Sequence, residues 1–328
     1  MKCLRNIGMS PLETRDDALI DVLYNVKNIA IFQEDIYIGS GEQLIVWDKY
    51  GKFKRLLSKK GNDPQSYLHF NHFMIWPNGD LSIASPIEIV TYSNSHQFIN
   101  KKRCENVGYI EAITLLNDSL YIIKCMPTPE QLRYRIINHH TGAIINSYDS
   151  IINCNRYISS FTNSFERYEG HIISHGYQSN DILECTLDSS KIRYKINVDN
   201  RIPPAGFYTQ EGKEGMQLIQ EEAEKGYIGH IPDYVESKET ILLSFKGKRE
   251  DLNGIALIDK KDGNARVLEN IKFDDNFRWL PKQFFSLDEG WCAMLMYPED
   301  VLKKEEFARR FPGLDEESNP VLFIGKLR

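Results

Sequence analysis

The sequence predicts an all-β chain, a six-bladed β-propeller of four-stranded antiparallel blades. Three observations carry that expectation. A unit of polar turn, short apolar strand and second turn recurs about every 45 residues, the mark of a repeat architecture. The strands are short and bounded by Asn, Asp and Gly turns, as in hairpins rather than helical solenoids. The last unit lacks one strand, and an apolar run near the other terminus is available to complete it.

The elements follow in chain order. First turns fall at Glu34-Asp35, Asn78-Gly79-Asp80, Asn117-Asp118-Ser119, Glu169-Gly170, Lys238-Glu239 and Asp288-Glu289-Gly290, each leading into strand residues such as Ile36-Tyr37-Ile38 or Leu81-Ser82-Ile83. Second turns, from Asp48-Lys49-Tyr50-Gly51 to Asp259-Lys260-Lys261-Asp262-Gly263, join a third strand to a fourth, so each unit is a four-stranded meander. The blades are expected at about 25–60, 68–107, 108–150, 158–199, 232–273 and 279–328, within a single domain over 1–328. The sixth unit ends with three strands at Pro320-Val321-Leu322-Phe323-Ile324. Its outer strand is expected from 18–24, Ala18-Leu19-Ile20-Asp21-Val22-Leu23, so that the N-terminal strand closes the last blade and hides an open edge.

Two segments break the β rhythm. Residues 212–226 hold Met216 to Lys225, a run of good helix formers stopped by Gly226; residues 299–311 place Val301, Leu302, Phe307 and Phe311 at near-helical spacing. Both read as short amphipathic helices. Connectivity puts the first between blades four and five and the second between the middle strands of blade six. Both connections, with the Met126–Gln131 loop of blade three, leave one face of the propeller. Long loops there imply either a partly roofed pocket over the channel mouth or helices that cover apolar blade edges.

Leu12-Glu13-Thr14, Trp47-Asp48 with Gly51-Lys52-Phe53, the loop Gly61-Asn62-Asp63-Pro64-Gln65-Ser66-Tyr67, and Asn319-Pro320-Val321-Leu322 together resemble a bacterial six-bladed β-propeller family of NHL- and TolB-like type. Where the family pattern reads Gly-Gln-Gly-Pro-Gly-Glu-Tyr, this chain keeps Gly61, Pro64 and Tyr67. The resemblance implies a ligand or partner scaffold of undefined role, and a periplasmic or envelope-associated location reached through a lipoprotein or secretory leader. Met1-Lys2-Cys3-Leu4-Arg5-Asn6 contains no apolar leader core.

Composition narrows the function classes. With 328 residues, 41% hydrophobic and 11% aromatic, the chain can bury a large core. A net charge of −6 and interspersed Lys and Arg offer no basic footprint for nucleic acid. No stretch approaches a membrane span. The six cysteines show no CxxC pair or zinc spacing and read as free thiols.

Residues entering the innermost strands, at the loop-rich mouth, are the candidate site: His69, Asn71 and His72; Tyr109 and Glu111; Ser160 and Asn163; Asp233 and Tyr234; Arg278, Trp279 and Lys282. Such a mixture can hydrogen-bond and stack a sugar or other polar ligand, with Trp279 beside Arg278 as the first aromatic platform. The competing interpretation is channel lining and blade packing. His171 and His175 lie four apart on a strand, about 13 Å, too far to share zinc. His139-His140 sits in a turn and reads as solvated, Trp76 packs beneath the Pro77-Asn78-Gly79 turn, and Asp274-Asp275-Asn276 lacks an EF-hand pattern. No metal, cofactor or catalytic residue is expected, because GxSxG, HExxH and P-loop motifs are missing. The functional expectation is a non-catalytic scaffold, monomeric, taking a small polar ligand or a protein partner. The alternative is a propeller lyase or hydrolase acting on a polar substrate such as a glycan, with His69 or His72 as base.

Overall fold

Tight turns and short apolar strands divide the chain into antiparallel sheets. The computed structural model describes residues 3–20, 26–104, 107–125, 132–150, 165–175, 180–198, 201–204, 206–210, 212–213, 215–273 and 278–328. Strand β1 spans Leu4–Pro11. Blade one is β2 (Val26–Phe32), β3 (Asp35–Ser40), β4 (Gln43–Trp47) and β5 (Phe53–Leu57); blade two is β6 (His72–Ile75), β7 (Leu81–Ala84), β8 (Glu88–Tyr92) and β9 (Phe98–Arg103). Blade three is β10 (Ile110–Leu115), β11 (Leu120–Cys125), β12 (Leu132–Asn138) and β13 (Ile144–Ser150); blade four is β14 (Phe165–Tyr168), β15 (His171–His175), β16 (Asp181–Cys185) and β17 (Ser190–Lys195). Blade five comprises β18 (Ile228–His230), β19 (Tyr234–Glu236), β20 (Thr240–Gly247), β21 (Gly254–Asp259) and β22 (Ala265–Val267). A two-residue ladder of β23 (Ile271–Lys272) and β24 (Arg278–Trp279) precedes blade six, β25 (Phe284–Ser286), β26 (Trp291–Met296) and β27 (Val321–Leu327). The fold is a six-bladed β-propeller.

Turn chemistry explains the local register. Gln33 and Glu34 both adopt positive φ (48° and 71°), the mirror-image turn whose twist matches the flanking strands β2 and β3. Glu169 and Gly170 repeat it between β14 and β15. At Asn117 the side chain does the work: its Oδ1 accepts the Ser119 and Leu120 amides at 2.9 and 3.0 Å.

By internal packing the chain forms two compact units, residues 1–59, 235–242 and 256–328 in the first and 60–234 with 243–255 in the second. In the first unit the sheet order β1-β27-β26-β25 shows the N-terminal strand closing blade six. That strand is Leu4–Pro11, paired from Leu4↔Leu327 to Pro11↔Val321, and not residues 18–24. Ala18 to Ile20 carry no strand, and 21–25 lie outside the described residues. The apolar run that resembled a strand instead feeds the core: Leu12, Ala18 and Ile20 pack with Ile36, Ile38, Trp47, Phe285, Leu295 and Leu322. Periodicity alone does not separate a short buried run from a strand.

Asn319 holds this crossing segment. Its Oδ1 accepts the Ile20 amide at 2.8 Å, and its Nδ2 donates to the carbonyls of Glu13 and Ala18, both at 3.0 Å. The Glu13 amide donates to the Gly51 carbonyl at 2.7 Å, its Oε2 accepts the Phe53 amide at 3.0 Å, and its carbonyl accepts Trp47 Nε1 at 3.3 Å. Gly51, at φ +82°, lies so close to Pro11 that a Cβ would fall 2.1 Å from the Pro11 carbonyl oxygen. The residues that carry the family resemblance at Leu12-Glu13-Thr14, Trp47, Gly51, Phe53 and Asn319 thus meet in one closing clasp.

The insertion between β26 and β27 is two helices rather than one. Helix α2 (Pro298–Leu302) and helix α3 (Glu305–Arg310) are separated at Lys304, whose backbone is extended. Val301 and Phe307 are six positions apart, about 120° around a continuous helix, and the break lets both be buried. In the second unit, α1 (Gly215–Lys225) precedes blade five, buries Leu218 and ends where Gly226 takes φ +66°. The core of this unit is built from the facing strands of blades two and three, with Trp76, Ile89, Ile110, Ile113, Tyr121 and Ile123 in contact. Among the described residues no helix is long and apolar enough to cross a membrane.

Candidate functional site

The second unit places polar side chains where its inner strands begin and their neighbours end. Asn71, buried just ahead of β6, donates through its backbone amide to Ala84 at 3.0 Å and through Nδ2 to the Ile110 carbonyl of blade three at 2.7 Å. Its Oδ1 accepts the Tyr109 hydroxyl at 3.2 Å. Lys124, at the end of β11, donates from Nζ to the His175 carbonyl of blade four at 2.8 Å. His175, at the end of β15, sets Nδ1 2.9 Å from the Ile231 carbonyl, the approach to blade five. A carbonyl only accepts, so Nδ1 carries a proton. Blades two, three and four each tie a polar side chain to the main chain of the next blade.

Glu111 is aimed by a bulge. Ile110 pairs with Cys125 and Ala112 with Lys124, which leaves Glu111 as the extra residue of β10. Bulges bend the strand and redirect a side chain. Burial pushes the half-buried Glu111 carboxyl up, while the charges of Lys124 and Arg133 pull it back. Burial pulls the Lys124 ammonium down to about 8; the Glu111 carboxylate opposes that shift and Arg133 adds to it. The pair offers an acceptor and a cation held in low-dielectric surroundings.

The other predicted residues are distributed as follows. The His69 side chain is exposed, and its backbone is clamped by Ser85: the His69 amide donates to Ser85 Oγ at 3.1 Å, and that hydroxyl donates to the His69 carbonyl. His72 opens β6 and is buried. Asp233 is 1% exposed, accepts the Ser244 hydroxyl on Oδ2 at 2.6 Å and donates its amide to Ser244 Oγ at 3.1 Å. Tyr234 is buried, with its ring 6.1 Å from that of His175. Asn163 and Ser160 lie outside the described residues, as do the Met126–Gln131 loop and Asp274-Asp275-Asn276.

In the first unit Arg278 is exposed, and Lys282 is exposed at 3.6 Å from Glu299 of α2. Trp279 is buried: its ring centroid lies 5.7 Å from Phe323 and 6.1 Å from Phe273. It belongs to the short ladder with Ile271, not to the inner strand of blade six. Lys124 and His175, which join blades through their side chains, are not marked as rim residues by their place in the sequence. Their signal was a charged or polar residue closing an otherwise apolar strand run, in Tyr121-Ile122-Ile123-Lys124 and in Ile172-Ile173-Ser174-His175. His171, at the other end of the same strand, pairs through Nδ1 with Glu184 at 3.0 Å.

Fold and clasp define a six-bladed β-propeller closed by its own N-terminal strand, with buried polar side chains stitching successive blades. Residues 4–326 match the family described as Domain of unknown function (DUF4934), and the chain belongs to it. A solved "Putative exported protein" of Bacteroides fragilis is similar over 99% of this chain and 96% of its own, at 13% identity and a TM-score of 0.76. A member of the DUF4221 family from Bacteroides vulgatus is similar over 99% of this chain and 97% of its own, at 10% identity and a TM-score of 0.56. A protein of unknown function from Bacteroides caccae shares 12% identity over 80% of this chain and 84% of its own, with a TM-score of 0.50. At such identities the likeness is one of fold. No curated protein matches the chain in sequence.

Proposed function

We propose that the chain is a non-catalytic binding scaffold that takes a small polar ligand or a protein partner at the loop-rich ends of its inner strands. The observation that carries this reading is the blade-to-blade stitching through Asn71, Lys124 and His175, which holds a polar rim rigid instead of freeing its groups for proton transfer. The Ser244 hydroxyl donates to Asp233 and so is engaged by a carboxylate, not activated by a histidine base. Of the predicted residues, His69, Tyr109 and Glu111 supply the contacts and Asn71, His72, Asp233 and Tyr234 brace them. Arg278 and Lys282, exposed on the first unit, are contacts in their own right, and Trp279, packed on Phe273 and Phe323, anchors the strand that carries Arg278. The likeness to NHL-type propellers supports a scaffold by analogy. The "exported" name of the Bacteroides fragilis relative supports a periplasmic or envelope location.

The test is a thermal-shift panel of monosaccharides, oligosaccharides, nucleotides and amino acids on the native chain and on Glu111→Gln. A ligand at 100 times its dissociation constant adds about 2.7 kcal/mol of stability. A hit on the native chain that Glu111→Gln loses, without chemical change of the compound, is the expected result. Turnover of the hit overturns the non-catalytic reading, and a hit that Glu111→Gln retains moves the site away from the rim.

A further inference from the structure

A concavity lies away from these strand ends, in the cleft between blades two and three. It has a volume of about 300 Å³. Three turns surround it: Asn78–Asp80 of blade two, and Asn117–Ser119 and His139–Gly142 of blade three. That volume is on the order of ten waters and reaches the lower bound of small-molecule sites. By sequence alone Trp76 packs beneath a turn and His139 is a solvated turn residue. In the structure the two rings are in tilted contact, centroids 4.0 Å apart and planes inclined by 44°.

The walls are fixed in advance. Trp76 Nε1 donates to Ser82 Oγ at 2.8 Å, and that hydroxyl lies 3.0 Å from Thr91 Oγ1. The His139 amide donates to the Ser119 carbonyl at 2.8 Å, and the His139 carbonyl accepts the Lys102 ammonium. Burial, the Lys102 charge and His140 all hold the His139 ring below its usual protonation range, against the pull of Asp80. Ile99, 45% exposed, adds an apolar wall. The carboxylates in the lining are Asp80, braced by Asn78 Nδ2 at 2.8 Å, and Asp118 on the exposed turn opposite. The Lys102 cation beside them is already engaged on the His139 carbonyl.

We propose that this cleft is a binding site for a small organic cation with a flat apolar body, the ring lying against Ile99 and the small exposed part of Trp76 and the ammonium directed to Asp80 and Asp118. The apolar lining holds the ring, and two carboxylates favour the ammonium and reject an anion of the same shape. The site is independent of the polar rim above and stands or falls separately from it.

Benzylamine, benzyl alcohol and benzoate share a ring and differ in charge, which makes them the probes. The chain has four tryptophans, so its indole N–H signals in a 15N-labelled NMR spectrum are few enough to follow singly. Millimolar benzylamine is expected to shift the Trp76 indole signal saturably, benzyl alcohol to bind at least about fivefold more weakly, and benzoate to leave the signal in place. Asp80→Asn combined with Asp118→Asn should erase the preference for the amine. The signal is assigned with Trp76→Phe, or through space to His139 if that variant folds poorly, since both aspartates sit on turns and leave the wall intact. Equal affinity for all three probes, an unmoved Trp76 signal, or an amine preference that survives the double substitution overturns the proposal.

Discussion

At the residue scale, single side chains carry long-range order. Asn319 satisfies one amide and two carbonyls of a segment about 300 positions away in sequence, which an apolar replacement would leave buried without partners. Asn319→Ala is expected to cost about 3 kcal/mol, read as a lower urea midpoint at unchanged slope. A loss within experimental error would show that the crossing segment is held by Leu12, Ala18 and Ile20 alone. Trp279 teaches the complementary lesson. Its neighbour Arg278 made it look like an open platform, yet its ring faces Phe273 and Phe323, so substituting it would report on packing before binding.

At the scale of elements, β1 is the strand on which closure depends. It covers the edge of β27 and buries Cys3 and Leu4, and it is contributed by the opposite end of the chain. Removing residues 1–11 should uncover that edge and lower the melting temperature by about 10 °C. An unchanged melting temperature would mean that blade six is stable with three strands. The helices α2 and α3 show how packing overrides spacing: two buried residues six positions apart demanded a break that a run of helix formers did not announce.

At the scale of the whole molecule, stability should respond to pH through a few buried groups. Lys124 titrates at about 8 in the folded chain against an ordinary 10.5, so between those values the unfolded chain binds more protons and stability rises with pH, by at most about tenfold in the folding constant per pH unit. Burial pushes Cys104 up to about 11 and Cys125 to about 12 from 9.0, so their contribution, complete below pH 9, is lost as pH climbs through the folded values. Urea midpoints are therefore expected to rise from pH 8 to 9 in the native chain and to lose that rise in Lys124→Met, whose side chain keeps much of the apolar stem. A rise of the same size in Lys124→Met would assign it to another group.

Much of this architecture was legible in the residues because turn chemistry is local. Gly, Asn and Asp at fixed offsets specify a hairpin within a few positions, and their recurrence counted six blades and showed that the last one needed a strand from elsewhere. The location of that strand was not legible, since Arg5, Asn6 and Ser10 interrupt the apolar residues of Leu4–Pro11 while Ala18–Ile20 is the more apolar run, and only the main-chain partners offered by β27 and Asn319 assign them. The polar rim was legible in part: Asn71, Tyr109 and Glu111 stand where inner strands begin. Lys124 and His175 were not, because their partners lie 51 and 56 residues further on, and the cleft at Trp76 was not, because it exists only between two blades. Sequence determined what each hairpin is; the tertiary structure decided which backbone carbonyls and rings the hairpins present to one another, since those distances are set by packing between repeats and not by any order within them.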